Sequence, residues 1–377
     1  MARRLLEVKQ NPATAGVASR LEYVKSEIAR IFQGDPALTE TIQKLVGEWT
    51  DYLSQKKSDQ TIYTYLSTIL YLFEFMKQQE LNLDLPASKA MMLPSFIPKE
   101  KSSTTKNIAL YSARSFFKFL AIAKDRAFNP FADIEGVTSV QHLVHPLSEK
   151  EYESIYTIMG RMRTDNAVYT NTRFLEEWEL NAWLLLMNSG MRSMELMPLE
   201  PRNFDRDEHG NLTVVVMGKG QVQRMTIVSD VYDLFYEVMS PFLNKDHARV
   251  RLEDYLWDSM KLGRASGRDE RLFEKKSRVV QEGKVRVVKH GVTRHILFDL
   301  MRWVNSFPGL VEKKPNTDFT LHQFRHTYAT WMLNHPRKPL QLEQVKELLG
   351  HKSIATTLIY ARVSLSKIQS AVAEQRK

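Results

Sequence analysis

Residues 318–364 read DFTLHQFRHTYATWMLNHPRKPLQLEQVKELLGHKSIATTLIYARVS, and the rest of the chain is read outward from them. Phe324, Tyr328 and Trp331 recur at i, i+4 and i+7, which predicts the buried stripe of a helix. His322 and Arg325 lie three apart, so they share a different face of it. Gly350 stands where a helix C-terminal cap belongs. Ser353 is placed to cap the next helix, and Tyr360 falls two turns inside that helix. The stretch therefore offers a His/Arg face, a loop with His351 and a helix presenting one phenol. That set of residue types suits an anion site with a nucleophile beside it.

Upstream, a Trp-, Leu- and Met-rich run from Phe174 to Asn188 predicts a buried helix. It ends at Ser189-Gly190 and leads into Met191-Arg192-Ser193-Met194-Glu195-Leu196. Arg192 is either a site cation or simply the partner of Glu195 on the same turn. Two β-branched runs follow, Asn211–Val216 and Gln223–Val228. Gly218-Lys219-Gly220 between them predicts a hairpin. Lys219 is an exposed turn residue or a basic group reaching into a site, and Arg224 is the basic alternative nearby and a candidate DNA contact.

Taken in order, these pieces resemble the tyrosine recombinases, the family of phage integrases and Xer-type resolvases. The matching pieces are G-x-R-x-x-E-L over Gly190–Leu196, the hairpin lysine, H-x-x-R at His322–Arg325, L-G-H at Leu349–His351, and a tyrosine nine residues on. The resemblance implies a mainly α, α+β protein: a helical SAM-like core-binding domain followed by a mixed α/β catalytic domain. It implies that Arg192 and Arg325 clamp a scissile phosphate and that His351 adds a donor. Tyr360 would attack to leave a 3′-phosphotyrosyl link, His322 would take the phenolic proton, and Lys219 would protonate the leaving 5′-oxygen. It implies a DNA recombinase that needs no cofactor, neither metal nor ATP. Double-stranded DNA is the expected partner, bound by a homotetramer that exchanges C-terminal helices, with accessory DNA-bending or directionality proteins. Two alternatives share these residues: a catalytically inactive DNA-binding protein of the same fold, and a type IB topoisomerase-like enzyme. The i, i+4 pair His322 and His326 has metal-ligand spacing. However, Gln323 replaces the glutamate of H-E-x-x-H, and Arg325 beside the pair would repel a cation. His326 is read instead as a structural hydrogen-bonding residue.

The bulk numbers fit. Of 377 residues, 53 are Lys or Arg and 44 Asp or Glu, a net charge of +9 that favours a polyanionic partner. There is no cysteine, which excludes disulfides and thiolate ligands. No apolar run reaches the ~18–20 residues of a membrane helix, and nothing after Met1 reads as a secretory signal. A cytoplasmic, nucleoid-associated protein is expected.

Residues 1–36 are expected to be a helical extension, with six Lys/Arg against four acids. Residues 37–135 read as the helical core-binding domain. One helix runs from about Leu38 to Gln55. A second carries Ile62, Leu66, Ile69, Leu70 and Phe73. A third, after Ser103, carries Ile108, Tyr111, Phe116, Phe119 and Leu120. Lys56, Lys57, Lys101, Lys106, Arg114 and Lys118 are candidate phosphate contacts here. Residues 136–146 read as a linker, and Ser148–Glu151 as a capping box opening the catalytic domain, 147–377. A basic insertion is expected at about 244–317: from Lys261 to His295 eleven Lys/Arg face four Asp/Glu, 11 − 4 = +7. Within it Ser277–Val288 predicts a second hairpin about a Glu282-Gly283 turn, with Arg278, Lys284 or Arg286 on one face as DNA contacts. A C-terminal helix is expected over 362–377.

Overall fold

The structure is a computed structural model. It describes residues 16–81, 83, 96, 100–123, 129–138, 145–164, 175–218, 222–243, 250–265, 274–281, 284–291, 294–306 and 318–362. The chain divides into two compact units, residues 1–142 and 143–377. Among the described residues no helix is long and apolar enough to cross a membrane.

The first unit is helical: α1 (Val17–Ile31), α2 (Pro36–Ser54), α3 (Asp59–Gln78) and α4 (Ser103–Ala123). Local sequence sets the starts. The Asp35 carboxylate accepts from Leu38 N–H at 3.0 Å and Pro36 opens α2, where a missing N–H costs nothing. Ser102 Oγ likewise accepts from Thr105 N–H at 3.2 Å ahead of α4. α1 packs on α2 and α3, and α3 on α4. Aromatic rings fill the middle: Phe116 meets Trp49 and Phe73 edge-on, centroids 5.3 and 5.7 Å apart. Val24 and Ile28 of α1 belong to this same core. Tyr111 departs from the expected stripe: it is exposed, under the Arg114 guanidinium, while Ala109, Leu110 and Ala113 face inward.

The second unit opens as the capping box predicts. Ser148 N–H donates to the Glu151 carboxylate at 2.7 Å, and Leu147 and Tyr152 are both buried. After α5 (Glu149–Thr164) comes α6 (Glu177–Asn188), which starts later than expected; Phe174 lies outside the described residues. α6 is buried on every side from Leu180 to Asn188, as expected of a helix that is apolar nearly all round. A single turn, α7 (Ser193–Leu196), leads to a three-stranded antiparallel sheet, β1 (Phe204–Arg206), β2 (Leu212–Met217) and β3 (Gln223–Ile227), in that order. β2 and β3 are the expected hairpin. β1 was not legible, because three residues give too short an alternation.

α8 (Leu252–Ala265) and α9 (Arg294–Ser306) flank a ribbon of β4 (Glu274–Gln281) and β5 (Lys284–Gly291). Leu252, Tyr255, Leu256 and Met260 of α8, and Leu297, Met301 and Val304 of α9, join the unit's main core. These flanking helices are therefore part of the packed body. The ribbon register pairs Gln281 with Lys284, which leaves the two-residue Glu282-Gly283 link. It pairs Arg278 with Val287 and Val279 with Arg286.

The unit closes with α10 (Leu321–Asn334), α11 (Leu342–Leu349) and α12 (Ile354–Arg362). α10 docks through Phe324, whose ring meets Trp183 at 5.4 Å and Tyr152 at 6.2 Å. Tyr328 is buried too, and its hydroxyl donates to the Ile227 carbonyl at 2.7 Å, tying α10 to the sheet. Trp331 is only partly buried. Residues 363–377, which hold most of the expected C-terminal helix, lie outside the described residues.

Candidate active site

Two turns and one helix bring the site together. The first follows α6. Gly190 has φ +62°, and a Cβ there would stand 2.6 Å from the Tyr328 ring and 2.9 Å from Leu349, so only glycine fits. The chain then presents Arg192 at the start of α7. Glu195, one turn on, accepts from Arg192 N–H at 2.9 Å and from its guanidinium at 2.7 Å. The two readings of Arg192 are thus compatible: it is paired with Glu195, yet 36% of its side chain stays exposed.

The second turn joins α11 to α12. Gly350 caps α11 with φ +63°, the left-handed conformation expected of it. His351 follows. Ser353 Oγ accepts from Ala355 N–H at 3.2 Å, capping α12 as anticipated. Three residues past the start of that helix, Thr357 is fully buried and its hydroxyl meets His351 Nδ1 at 2.9 Å. An Nδ1 that accepts this bond leaves Nε2–H as the donor turned to the site. Sequence reasoning missed Thr357; the signal was its i+6 spacing from His351.

The third element is α10 itself. Arg325 is only 1% exposed. Its Nη1 donates to the Gly190 carbonyl at 2.6 Å and its Nη2 to the Leu349 carbonyl at 2.5 Å, so one side chain staples the two turns together. Tyr360 is 3% exposed. Its ring stacks on His351 with centroids 5.8 Å apart and lies 4.9 Å from His326, with the Arg325 guanidinium beside its phenol. His322 meets His326 edge-on at 4.7 Å. Arg192, His322, Arg325, His351 and Tyr360 thus converge. Lys219 lies outside the described residues.

The hydrogen-bonding role expected of His326 is not what its surroundings provide. It is buried against Tyr360, and its Nδ1 has no partner among the described residues. Its place is a ring wall for the phenol. Among the described residues no three His, Asp or Glu gather as metal ligands.

Arg224 needs a larger correction. As a candidate DNA contact it should be exposed, but its side chain is 8% exposed. β3 pairs it with Val216, which is buried, so strand alternation turns it inward. Its Nη2 meets Glu195 at 2.6 Å and its Nη1 donates to the Leu348 carbonyl. The pattern was available: Thr226 and Val228, two and four residues on, are both buried.

Two guanidinium groups, those of Arg192 and Arg224, therefore contact one carboxylate, Glu195, and that of Arg325 lies within its electrostatic reach. Burial favours its neutral form, but Arg224 and Arg192 outweigh that and hold its pKa below the ordinary value. Burial and the Arg192 and Arg224 charges bring Arg325 down to about 10, still protonated at neutral pH. Burial raises the Tyr360 pKa, and the Arg325 and Arg192 charges only partly oppose it. The docked phenol is thus protonated and needs a base. Burial, with Arg325 and Arg192 nearby, lowers His322, which leaves it neutral and able to accept a proton. Such a cluster is suited to a phosphate whose charge grows as it is attacked.

Burial also brings His326 and His351 down to about 4 from 6.5. Between those values the unfolded chain binds protons that the folded chain does not. Stability conferred by the neutral rings is complete above about pH 6.5 and is lost as pH falls towards 4. After discounting the partly exposed His351, the loss is of the order of 2 kcal/mol. Urea melts at pH 7.5 and 4.5 check this, with His326→Gln expected to show a shallower pH slope. Equal slopes in both proteins would rule the histidine account out.

The remaining candidates lie in the first unit. Lys56, Lys57, Lys101 and Lys118 are exposed, and Lys106 is half-buried. The Lys56 ammonium rests 4.4 Å over the Tyr52 ring. Arg114 is committed elsewhere: Nε donates to the Phe131 carbonyl at 2.8 Å and Nη2 to that of Ile134, so it ties down the segment after α4. Arg278, Lys284 and Arg286 are placed by backbone register alone.

The sequence profile of the phage integrase family matches residues 145–367. The tyrosine recombinase XerD of Shewanella oneidensis is 24% identical over 344 residues, covering 91% of this chain and 97% of the relative. XerC of Staphylococcus carnosus is 25% identical over 318 residues, covering 83% and 89%. Among solved structures, the XerH site-specific recombinase in a post-cleavage complex with its palindromic difH substrate gives a TM-score of 0.57 at 17% identity, covering 96% of this chain and 97% of that one. A lambda integrase dimer bound to a COC′ core site gives 0.54 at 15%, covering 84% and 76%. The fold is the mainly helical α+β architecture of these proteins, and the chain belongs to the phage integrase family of tyrosine recombinases.

Proposed function

We propose that this site-specific recombinase cleaves and rejoins DNA strands through Tyr360. Arg192 and Arg325 hold the non-bridging oxygens of the scissile phosphate, and His351 donates through Nε2–H. His322 takes the phenolic proton as the Tyr360 oxygen attacks phosphorus. The bond to the 5′-oxygen breaks, Lys219 protonates that oxygen, and a 3′-phosphotyrosyl link and a free 5′-hydroxyl result. Attack by another 5′-hydroxyl reverses the steps, so the bond energy is conserved without ATP. The observation that carries this reading is the Tyr360 phenol, buried beside Arg325 in the same cluster as Arg192 and His351.

Double-stranded DNA is the partner in this reading. The working assembly is a homotetramer on DNA whose protomers exchange the segment 362–377, assisted by DNA-bending or directionality proteins, in the cytoplasm at the nucleoid. The test is covalent trapping. Full-length protein is mixed, in EDTA, with nicked duplex fragments from the DNA flanking its own coding sequence, then run on a denaturing gel. A protease-sensitive shifted DNA band is expected. A protein that binds such fragments yet traps none of them is a binding protein only.

The ribbon supplies a separate prediction. Changing Arg278, Lys284 and Arg286 together to Gln weakens DNA binding and lowers the log–log salt slope by about 0.9 for each phosphate that is no longer neutralised. A salt titration reads both. An unchanged slope would return the ribbon to a charged, self-protecting sheet edge.

A further inference from the structure

Arg224 is the one guanidinium of the cluster that DNA does not need to reach. Taking such a charge out of water costs several kcal/mol unless geometry and hydrogen bonds offset it. Glu195 offsets part of this, at 2.6 Å. Neutralising Glu195 would not by itself require a guanidinium, because Arg192 already pairs with that carboxylate at 2.7 Å. Arg224 does something else with its second prong: Nη1 donates to the Leu348 carbonyl in the last turn of α11. The neighbouring carbonyl, that of Leu349, is held by Arg325 Nη2 at 2.5 Å. Two arginines therefore grip consecutive carbonyls at the negative end of one helix, which is where cations are favoured.

The next residue makes room for this grip. A Cβ on Gly350 would stand 2.5 Å from Arg224 Cδ and 2.9 Å from its Nε. Gly350 lets the arginine lie flat against the turn that presents His351. The fit has a cost, since the buried Nε of Arg224 has no hydrogen-bond partner among the described residues. An orphaned donor kept in a packed site marks a position whose geometry serves something other than stability.

We propose that Arg224 is a positioning residue for strand cleavage: held by Glu195, it clamps the Leu348 carbonyl and so fixes the α11–α12 turn from which His351 reaches the phosphate. This rests on the recombinase reading above. It also ties that turn to β3, the strand following the Lys219 link. Arg224 touches no reacting atom, so its effect passes through His351.

The test is a double-mutant cycle in the full-length protein, read as single-turnover covalent trapping on a fragment that traps the wild type. Arg224→Lys keeps the charge and loses the fork. It should bind DNA within about twofold of wild type yet cleave about 10- to 100-fold more slowly, the scale of a small misplacement of a catalytic group. In a His351→Ala background the same change should cost less than about threefold, because the group it positions is gone. A residue that merely supports the fold would lower the melting temperature and cost the same factor in both backgrounds, and that outcome overturns the proposal. So does wild-type cleavage by Arg224→Lys. Arg224→Gln, which keeps one donor, serves in the same cycle if the lysine variant does not fold. Failure of the wild type to trap DNA would instead sink the recombinase reading itself.

Discussion

Replacing Tyr360 with phenylalanine should abolish covalent attachment to DNA, by roughly 10⁶-fold, the scale seen when a nucleophile is removed. DNA affinity and folding should hardly change. The ring supplies the contacts to His351 and His326, and phenylalanine keeps that ring. Only the hydroxyl is removed, a single hydrogen-bonding group beside Arg325, so the stability change should stay below about 1 kcal/mol. The other hydroxyls described beside the site are already bonded, Thr357 to His351 Nδ1 and Tyr328 to the Ile227 carbonyl. A gel comparing the two proteins on one nicked fragment decides the matter. Covalent product from the phenylalanine variant at anything near the wild-type level would remove Tyr360 from its role.

The second large effect separates two arginines that share a proposed task. Arg192→Ala and Arg325→Ala should each slow cleavage by about 10³-fold or more, as loss of a charge-stabilising donor does. Their stabilities should diverge. Arg325 is fully buried, and its removal leaves the Gly190 and Leu349 carbonyls without their donor. At about 1–3 kcal/mol for each buried group left unpaired, the catalytic unit should lose about 4 kcal/mol. That corresponds to roughly 10 °C in melting temperature for a unit of this size. Arg192 is 36% exposed, and Glu195 keeps Arg224 when Arg192 is gone, so its loss should cost no more than about 1 kcal/mol. Thermal melts of the two alanine variants read this directly. Equal losses would mean that the clamp and the staple are not distinct.

Much of this was legible because the site is built from local signals. The glycine at 350 and the serine at 353 announced the ends of two helices, and the spacing between His351 and Tyr360 carried through unchanged. The Ser148–Glu151 box announced the start of the second unit in the same way. What escaped reading was non-local. Nothing around residue 224 says that a carboxylate from α7 and a carbonyl from α11 will meet there. A basic residue near a hairpin tip reads as exposed unless the inward alternation through Thr226 and Val228 is weighed against it. Tyr111 failed for the converse reason: an aromatic at stripe spacing on α4 was displaced by Ala109 and Ala113, whose small size lets the neighbouring helix approach. The helices at 252–265 and 294–306 were obscured by the charged sequence around the ribbon between them, although their apolar faces are core.

The staple made by Arg325 has a consequence for synthesis of the chain. Arg192, His322, Arg325 and His351 all precede Tyr360 in translation, and α12 packs on α10 and α11. A ribosome therefore delivers the proposed attacking group after the proposed phosphate clamp. Under the proposed mechanism, a nascent chain that stops short of Tyr360 therefore holds the clamp without its nucleophile.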